Sequence, residues 1–432
     1  MWLASDHKLA KFVFRPLVTF LRVEAAGAIV LLAATAVALG WVNSPWADSY
    51  HALFGTEIGL SIGPFQLTGD LHHWINDALM VIFFFVVGME IKHHIVAGEL
   101  RDRRTAVVPA VAALGGMIVP AVIYAAFNAG GPGSAGWGIP MATDIAFALG
   151  VIALLGPRIP TAARVFLLTL AIVDDIGAIT VIAVFYTEDL SLVWLAAAVL
   201  GTLAVAGLRL VRVWSVVPYL LLGTFVWLAT YESGVHATIA GVVMGLLTPA
   251  APLLNQEQAR RRARETAPAE FDVNELRRHQ FLLAESVPVA QRLQRALHPW
   301  SSYVVLPLFA LSNAGIPLSG EILSSALTSP VTRGIVVGLV LGKISGIVAF
   351  SWLSVRLGFG QLPEGSTWGI VTGIAMVAGI GFTVSLFITT LAFTEEPILA
   401  ADAKVGILGG SVIAACLGAA ILVLATHRKH EV

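Results

Sequence analysis

Apolar runs of about 20 residues recur along the whole of this chain, and few folds can accept them. In lipid every backbone N–H and C=O must be satisfied without water, so only α-helices and closed barrels cross a membrane. The runs here are continuous and not alternating, which excludes a barrel. Of the 432 residues only 12% are Asp, Glu, Lys or Arg, against about 25% in a soluble domain. The expectation is an all-α polytopic membrane protein. Its single Cys416 leaves no internal disulfide to hold the fold.

Twelve spans are read, at 23–42, 71–91, 105–127, 137–156, 162–186, 190–208, 214–231, 235–250, 300–317, 332–355, 367–391 and 403–426. With the N-terminus in the cytoplasm, 23 of the 26 Lys and Arg residues fall in cytoplasmic segments, as the positive-inside rule requires. Only Arg333 and Lys404 lie outside, and Lys343 lies within a span. Both termini are then cytoplasmic. No cleaved signal peptide is expected, because residues 1–22 carry Asp6, Lys8, Lys11, Arg15 and Arg22 ahead of a first run long enough to stay in the membrane.

The chain reads as one transmembrane domain, 1–432, with two long connections. Residues 43–70 are extracytoplasmic and lack Lys or Arg; within them 56–67 alternate around Gly63-Pro64, which predicts a short β-hairpin. Residues 251–297 are polar and Arg-rich, with Arg260-Arg261-Arg262 and Arg277-Arg278. They are expected to be a solvated cytoplasmic segment drawn to anionic lipid.

Charges inside the spans carry the functional information. Asp174 and Asp175 sit together in the run Leu167 to Phe185, and Asp144 and Lys343 lie in two other runs. Each such charge costs about 2.5–3.5 kcal/mol at the bilayer centre, and groups kept at that cost mark ion or proton paths. Neighbours on a helix diverge by about 100°, so one aspartate can face a cavity while the other meets a partner. Lys343, the only basic residue deep in a span, is the natural partner. A static ion pair would account for Lys343 and one aspartate, but not for the other aspartate or Asp144.

Gly136, Gly138 and Pro140 precede Thr143-Asp144, which points to a broken helix in span four. Gly379-Ile380-Gly381-Phe382-Thr383 is a matching weakness in span eleven. Spans 3–5 and 10–12 share this layout in opposite orientations, and paired interruptions of that kind point to a transporter site between inverted repeats. Carboxylates with Thr143 and freed carbonyls suit Na⁺ or Li⁺, which prefer oxygen ligands. The same carboxylates bind protons. A site that holds either the metal or protons is the simplest antiporter, and it needs no cofactor.

The runs 142–147 (Ala-Thr-Asp-Ile-Ala-Phe), 171–179 (Ala-Ile-Val-Asp-Asp-Ile-Gly-Ala-Ile) and 234–238 (Gly-Val-His-Ala-Thr) resemble the bacterial NhaA sodium/proton antiporter family. So do 297–300 (Leu-His-Pro-Trp), Gly342-Lys343, 362–365 (Leu-Pro-Glu-Gly) and 379–383. The resemblance runs from about residue 15 to 425. It implies two broken helices that cross, spans four and eleven, an architecture carried over from the family. It implies Asp175 as the main cation and proton ligand, Asp174 as the partner of Lys343, and Na⁺ held by Asp175, Asp174 and Thr143. Asp144 and Thr143 would lie at the crossing, and the hairpin would be the contact of a homodimer.

On that resemblance the chain exchanges cytoplasmic Na⁺ or Li⁺ for external H⁺, electrogenically, in a bacterial inner membrane, serving Na⁺ and pH homeostasis. It is a transporter and not an enzyme, with no nucleic-acid partner. The candidate pH-sensing residues are Glu90, His93, His94, His236 and His298. Glu90, Lys92 and His298 match the family, whereas His93 and His94 stand where the enterobacterial pattern has Arg and Glu. Gln294 and Arg295 replace its Glu and His. A sodium-coupled organic-anion symporter on a similar fold is the alternative, but neutral ligands would tend to replace the Asp pair there. An intramembrane aspartyl protease would carry Gly-x-Gly-Asp, which neither Asp144 nor Asp175 has.

Overall fold

The computed structural model describes residues 26–62, 65–101, 103–187, 190–211, 216–252, 257, 261 and 286–427. The expected cytoplasmic N-terminal segment and most of the 251–297 connection lie outside them. In chain order the elements are α1 (Ala26–Val42), α2 (Ala47–Phe54), β1 (Glu57–Ile62), β2 (Phe65–Asp70), α3 (Met80–Val96) and α4 (Arg103–Asn128). After α4 come a 3₁₀ segment (Pro132–Met141), α5 (Ile145–Leu155) and α6 (Thr161–Phe185). The next are α7 (Leu192–Leu210), α8 (Val216–Glu232), α9 (Thr238–Leu247), α10 (Val289–Trp300), α11 (Leu306–Asn313) and α12 (Gly320–Thr328). The chain continues with α13 (Pro330–Arg356), α14 (Trp368–Val377), α15 (Phe382–Ala392) and α16 (Pro397–His427).

Among the described residues six helices are long and apolar enough to cross a membrane, and nine spans result when each of three bent pairs counts as one. The remaining three of the twelve expected spans are shorter helices. The span expected at 214–231 corresponds to α8, whose described part begins at Val216. The one at 235–250 shrinks to α9, because the chain turns at Gly234 (φ 80°) and Thr248 goes extended ahead of Pro249. The one at 300–317 ends at Asn313, after which 315–319 have no regular structure. Asn43 holds that stretch, donating to Ile316 O (2.8 Å) and accepting from Leu318 N–H (2.6 Å).

The 43–70 connection holds more structure than its sequence suggests. Helix α2 turns 116° away from α1. β1 and β2 then pair antiparallel from Glu57↔Asp70 to Ile62↔Phe65. The 251–297 connection likewise ends in a helix. Ala290, Leu293 and Leu297 of α10 recur at helical spacing and pack on Val86 and Met89 of α3.

The chain divides into two compact units, one of residues 1–76, 102–186 and 306–432 and one of 77–101 and 187–305. Small residues build the packing of both. Lipid supplies no hydrophobic drive between helices, so close van der Waals contact must do so. In the first unit α4 lies on α13 with Gly115 and Gly346 backbone to backbone, and a side chain at either would strike the other's carbonyl. In the second unit Gly88 of α3 meets Val242 and Gly245 of α9 in the same way. Both helix breaks and every charged residue expected at the ion site belong to the first unit.

Candidate functional site

The first break follows from composition. Pro132, Gly133, Gly136, Gly138 and Pro140 are poor α-helix formers, and Pro140 has no N–H to give. The chain therefore runs as a 3₁₀ segment to Met141, extends through Ala142, Thr143 and Asp144, and restarts as α5 after a 42° bend. Hydroxyls hold the segment. Tyr186, the residue that ends α6, donates to Ala135 O (2.7 Å) and accepts from Gly138 N–H (3.3 Å). Ser385 donates to Ile139 O (2.7 Å). Pro140 sits where Gly338 of α13 has no side chain.

The second break lies between α14 and α15, bent by 45°. A Cβ at Gly379 would strike Leu339 O, and one at Gly381 would strike Ser385 Oγ and come within 3.2 Å of Ala142 O. Backbone passes backbone here, and only glycine leaves the room. Asp144 N–H donates to Ile380 O at 2.6 Å, so the two breaks are joined directly.

Asp144 caps both half-helices that start at this junction. Its Oδ1 accepts from Phe147 N–H (3.1 Å) in the first turn of α5. Its Oδ2 accepts from Thr383 N–H (3.0 Å) in the first turn of α15 and from Thr383 Oγ1–H (2.6 Å). A helix N-terminus carries about half a positive charge and unpaired N–H groups. One carboxylate, 3% exposed, serves two such ends.

Asp174 is held differently. Lys343 Nζ lies 2.5 Å from Asp174 Oδ2, and both side chains are fully buried. Lys343 also donates to Thr143 Oγ1 (3.0 Å). The Thr143 hydroxyl in turn faces two acceptors, Asp174 Oδ2 at 2.7 Å and Ala378 O at 2.8 Å. It has one hydrogen and serves one of them at a time. Asp174 Oδ1 is buried without a hydrogen-bond partner. Asp175, 9% exposed, is the most accessible of the three carboxylates.

The structure thus brings Asp144, Thr143, Asp174 and Lys343 into one bonded cluster, with Asp175 next to Asp174 on α6. Three carboxylates against one ammonium leave two negative charges in excess when all are ionised. That excess can be met by a cation or by protons. Thr383 is the site residue that sequence reasoning did not single out, although it closes the second broken-helix motif. Its signal was its place just after Gly381, at the start of a half-helix.

A family described as Na⁺/H⁺ antiporter 1 matches residues 18–422. The chain belongs to that antiporter family. It is 50% identical over 405 residues to a Na⁺/H⁺ antiporter NhaA 3 of Frankia alni, covering 93% of this chain and 87% of the relative. A NhaA 2 antiporter of Sorangium cellulosum is 47% identical over 431 residues, 97% and 92% of the two chains. A NhaA antiporter of Rhodopirellula baltica is 45% identical over 417 residues, covering 94% and 93%.

The candidate pH-sensing residues of this antiporter belong to the second unit. His93 and His94 follow Glu90 by one helical turn on α3, with their rings in edge contact at 5.7 Å. His236 precedes α9 and His298 lies exposed on α10, and both of those helices pack on α3.

Proposed function

We infer that this chain exchanges Na⁺ for H⁺ across a bacterial membrane at a single buried carboxylate site, where metal and protons compete. What supports the reading is the charge arrangement at the two breaks: three buried carboxylates near one ammonium, with Asp144 bonded to two helix ends and Asp174 to Lys343. Asp175, the most exposed of the three, is the principal ligand, and Asp174 joins it when the Lys343 pair opens. Thr143 supplies a neutral oxygen beside Asp174, suited to Na⁺ or Li⁺. Asp144 neutralises two positive helix ends and keeps the junction in shape for the ion.

The excess of two negative charges supports electrogenic exchange. If two protons neutralise what one Na⁺ half neutralises, each cycle moves net charge and responds to voltage. The two breaks would cross near the midplane, with both termini and the Arg-rich connection on the cytoplasmic side of the inner membrane. The twelve-span count fits that orientation, with α8, α9 and α11 as the short spans. The hairpin of β1 and β2 is offered as a homodimer contact, and residues 251–297 as a surface for anionic lipid.

Asp175→Asn tests the reading. A neutral amide can neither exchange a proton nor compensate a cation's charge. Na⁺-dependent proton movement, followed by dequenching of a pH dye in everted vesicles, should vanish while expression and melting temperature hold. Normal exchange in that variant would overturn the assignment.

A further inference from the structure

Asn313, the last residue of α11, is fully buried. Its amide nitrogen faces three acceptors, Asn76 Oδ1 (2.9 Å), Phe309 O (3.0 Å) and Ser312 Oγ (2.9 Å), and its two hydrogens serve two of them at a time. Its oxygen is left with no partner. The orientation of the amide follows from those three acceptors, since a flipped amide would set oxygen against oxygen. An orphaned buried amide oxygen costs about 1–3 kcal/mol, and such groups call for an explanation in water, an ion or a function.

The surroundings fit a cation. Asn76, 8% exposed, lies in a one-turn π-bulge at Ile75–Leu79, a distortion frequent at functional sites. Asn313 Oδ1 is the open ligand, and Asn76 Oδ1 and Ser312 Oγ, which now face the Asn313 nitrogen, are neutral oxygens that would join it if the amide turns, the ligand type that suits a hard monovalent cation where carboxylates are absent. The backbone beside them is held by Tyr50, whose hydroxyl faces the carbonyls of Leu311 (2.8 Å) and Ser312 (2.9 Å) and donates to one of them at a time. Phe309 of α11 packs on Phe387 of α15, ring centroids 6.3 Å apart. Helix α15 leaves the Asp144 junction outward in the orientation proposed above, and Asn313 lies one turn beyond Phe309 in the same outward sense.

We propose that Asn76 and Asn313 form a second, uncharged Na⁺ station on the path between the carboxylate site and the outer face. It accepts the ion after the carboxylates take up protons, and a neutral station releases it readily because it has no charge to hold it. This rests on Na⁺ exchange at Asp175, and its test is chosen to fail separately.

The test is the apparent Na⁺ KM measured from each face, in everted and in right-side-out vesicles of the full chain. Asn313→Leu should raise the outer-face KM about tenfold, the loss of roughly one good ligand contact. The inner-face KM should change less than about twofold, within the spread expected for a distant, independent site. Asn76→Ser, which keeps a hydroxyl, should give a smaller shift on the same face and serves if Asn313→Leu does not fold. A group that only holds structure, or only a buried water, would shift both faces together or leave both unmoved; either result overturns the station. If wild type itself showed no Na⁺-dependent exchange, the Asp175 reading would fall with it.

Discussion

Asp144 and Asp174 are the same residue, both buried, both touching the first helix break, and they are held in opposite ways. Asp144 accepts three hydrogen bonds, from Phe147 N–H, Thr383 N–H and Thr383 Oγ1–H, and two of these donors are backbone. Asp174 leans on a single mobile charge, Lys343, and keeps one oxygen empty. Backbone donors cannot leave or lose a proton, so Asp144 is fixed. An ammonium and a hydroxyl can rearrange, so Asp174 can change partners. A carboxylate in a membrane becomes scaffold or transport group according to whether its donors can be withdrawn.

The sharpest way to break this contrast is to look for rescue. Asp144→Ala would strand three buried donors at about 1–3 kcal/mol each, a total on the order of 3–9 kcal/mol. Thermal unfolding should show the largest loss of any variant here, and no second substitution at a side chain should restore it. Asp174→Asn or Lys343→Gln alone leaves one partner of a buried pair and should cost about 3–5 kcal/mol. Asp174→Asn/Lys343→Gln together should be more stable than the sum of the singles by about 1–3 kcal/mol. If Lys343 only pairs, the single Lys343→Gln protein stays voltage-sensitive in reconstituted vesicles. Electroneutral exchange would instead make Lys343 a proton carrier.

A finer cut is Thr383→Val, nearly isosteric, which removes one of the donors to Asp144 and keeps its N–H. It should lower stability by about 1 kcal/mol and leave the Na⁺ KM in place. A large rise in KM with unchanged melting would make Thr383 an ion ligand and dissolve the contrast.

The smallest expected effect lies in the other unit. His93 and His94 stand in the last turn of α3, and positive charge gained there in acid would repel Na⁺. Protonation inhibits, so His93→Ala/His94→Ala should move the activation midpoint to lower pH with maximal exchange at alkaline pH unchanged. An unmoved profile would leave proton competition at Asp175 as the sole source of pH dependence.

Where charge is rare, sequence speaks clearly. Lys343 is the only basic residue deep in a span, so its pairing with one neighbour of the Asp174-Asp175 doublet could be read directly. Gly138, Pro140, Gly379 and Gly381 announced the breaks because each disfavours helix for a local reason. What stayed hidden depends on contacts distant in sequence. Thr383 reaches Asp144 across 239 positions, and its place after Gly381 marked a helix start without revealing the carboxylate it meets. Helix α2 was obscured by polar residues in a connection, and α10 by arginines around a short apolar stripe. The spans at 235–250 and 300–317 read too long because apolarity continues past the points where Pro249 and the Asn43 contacts end the helices.

The contact of Gly115 with Gly346 has a mechanical consequence. The side chains of Phe350 and Val119 border this backbone contact, so α4 cannot slide along α13 without one of them striking the opposite helix. Lys343 sits one turn before that contact on α13. Whatever stroke brings the ion site from one face of the membrane to the other, the lysine must travel with α4 as a single strut. Probes placed on α4 and α13 should keep a constant separation through the cycle, however far the pair itself is displaced.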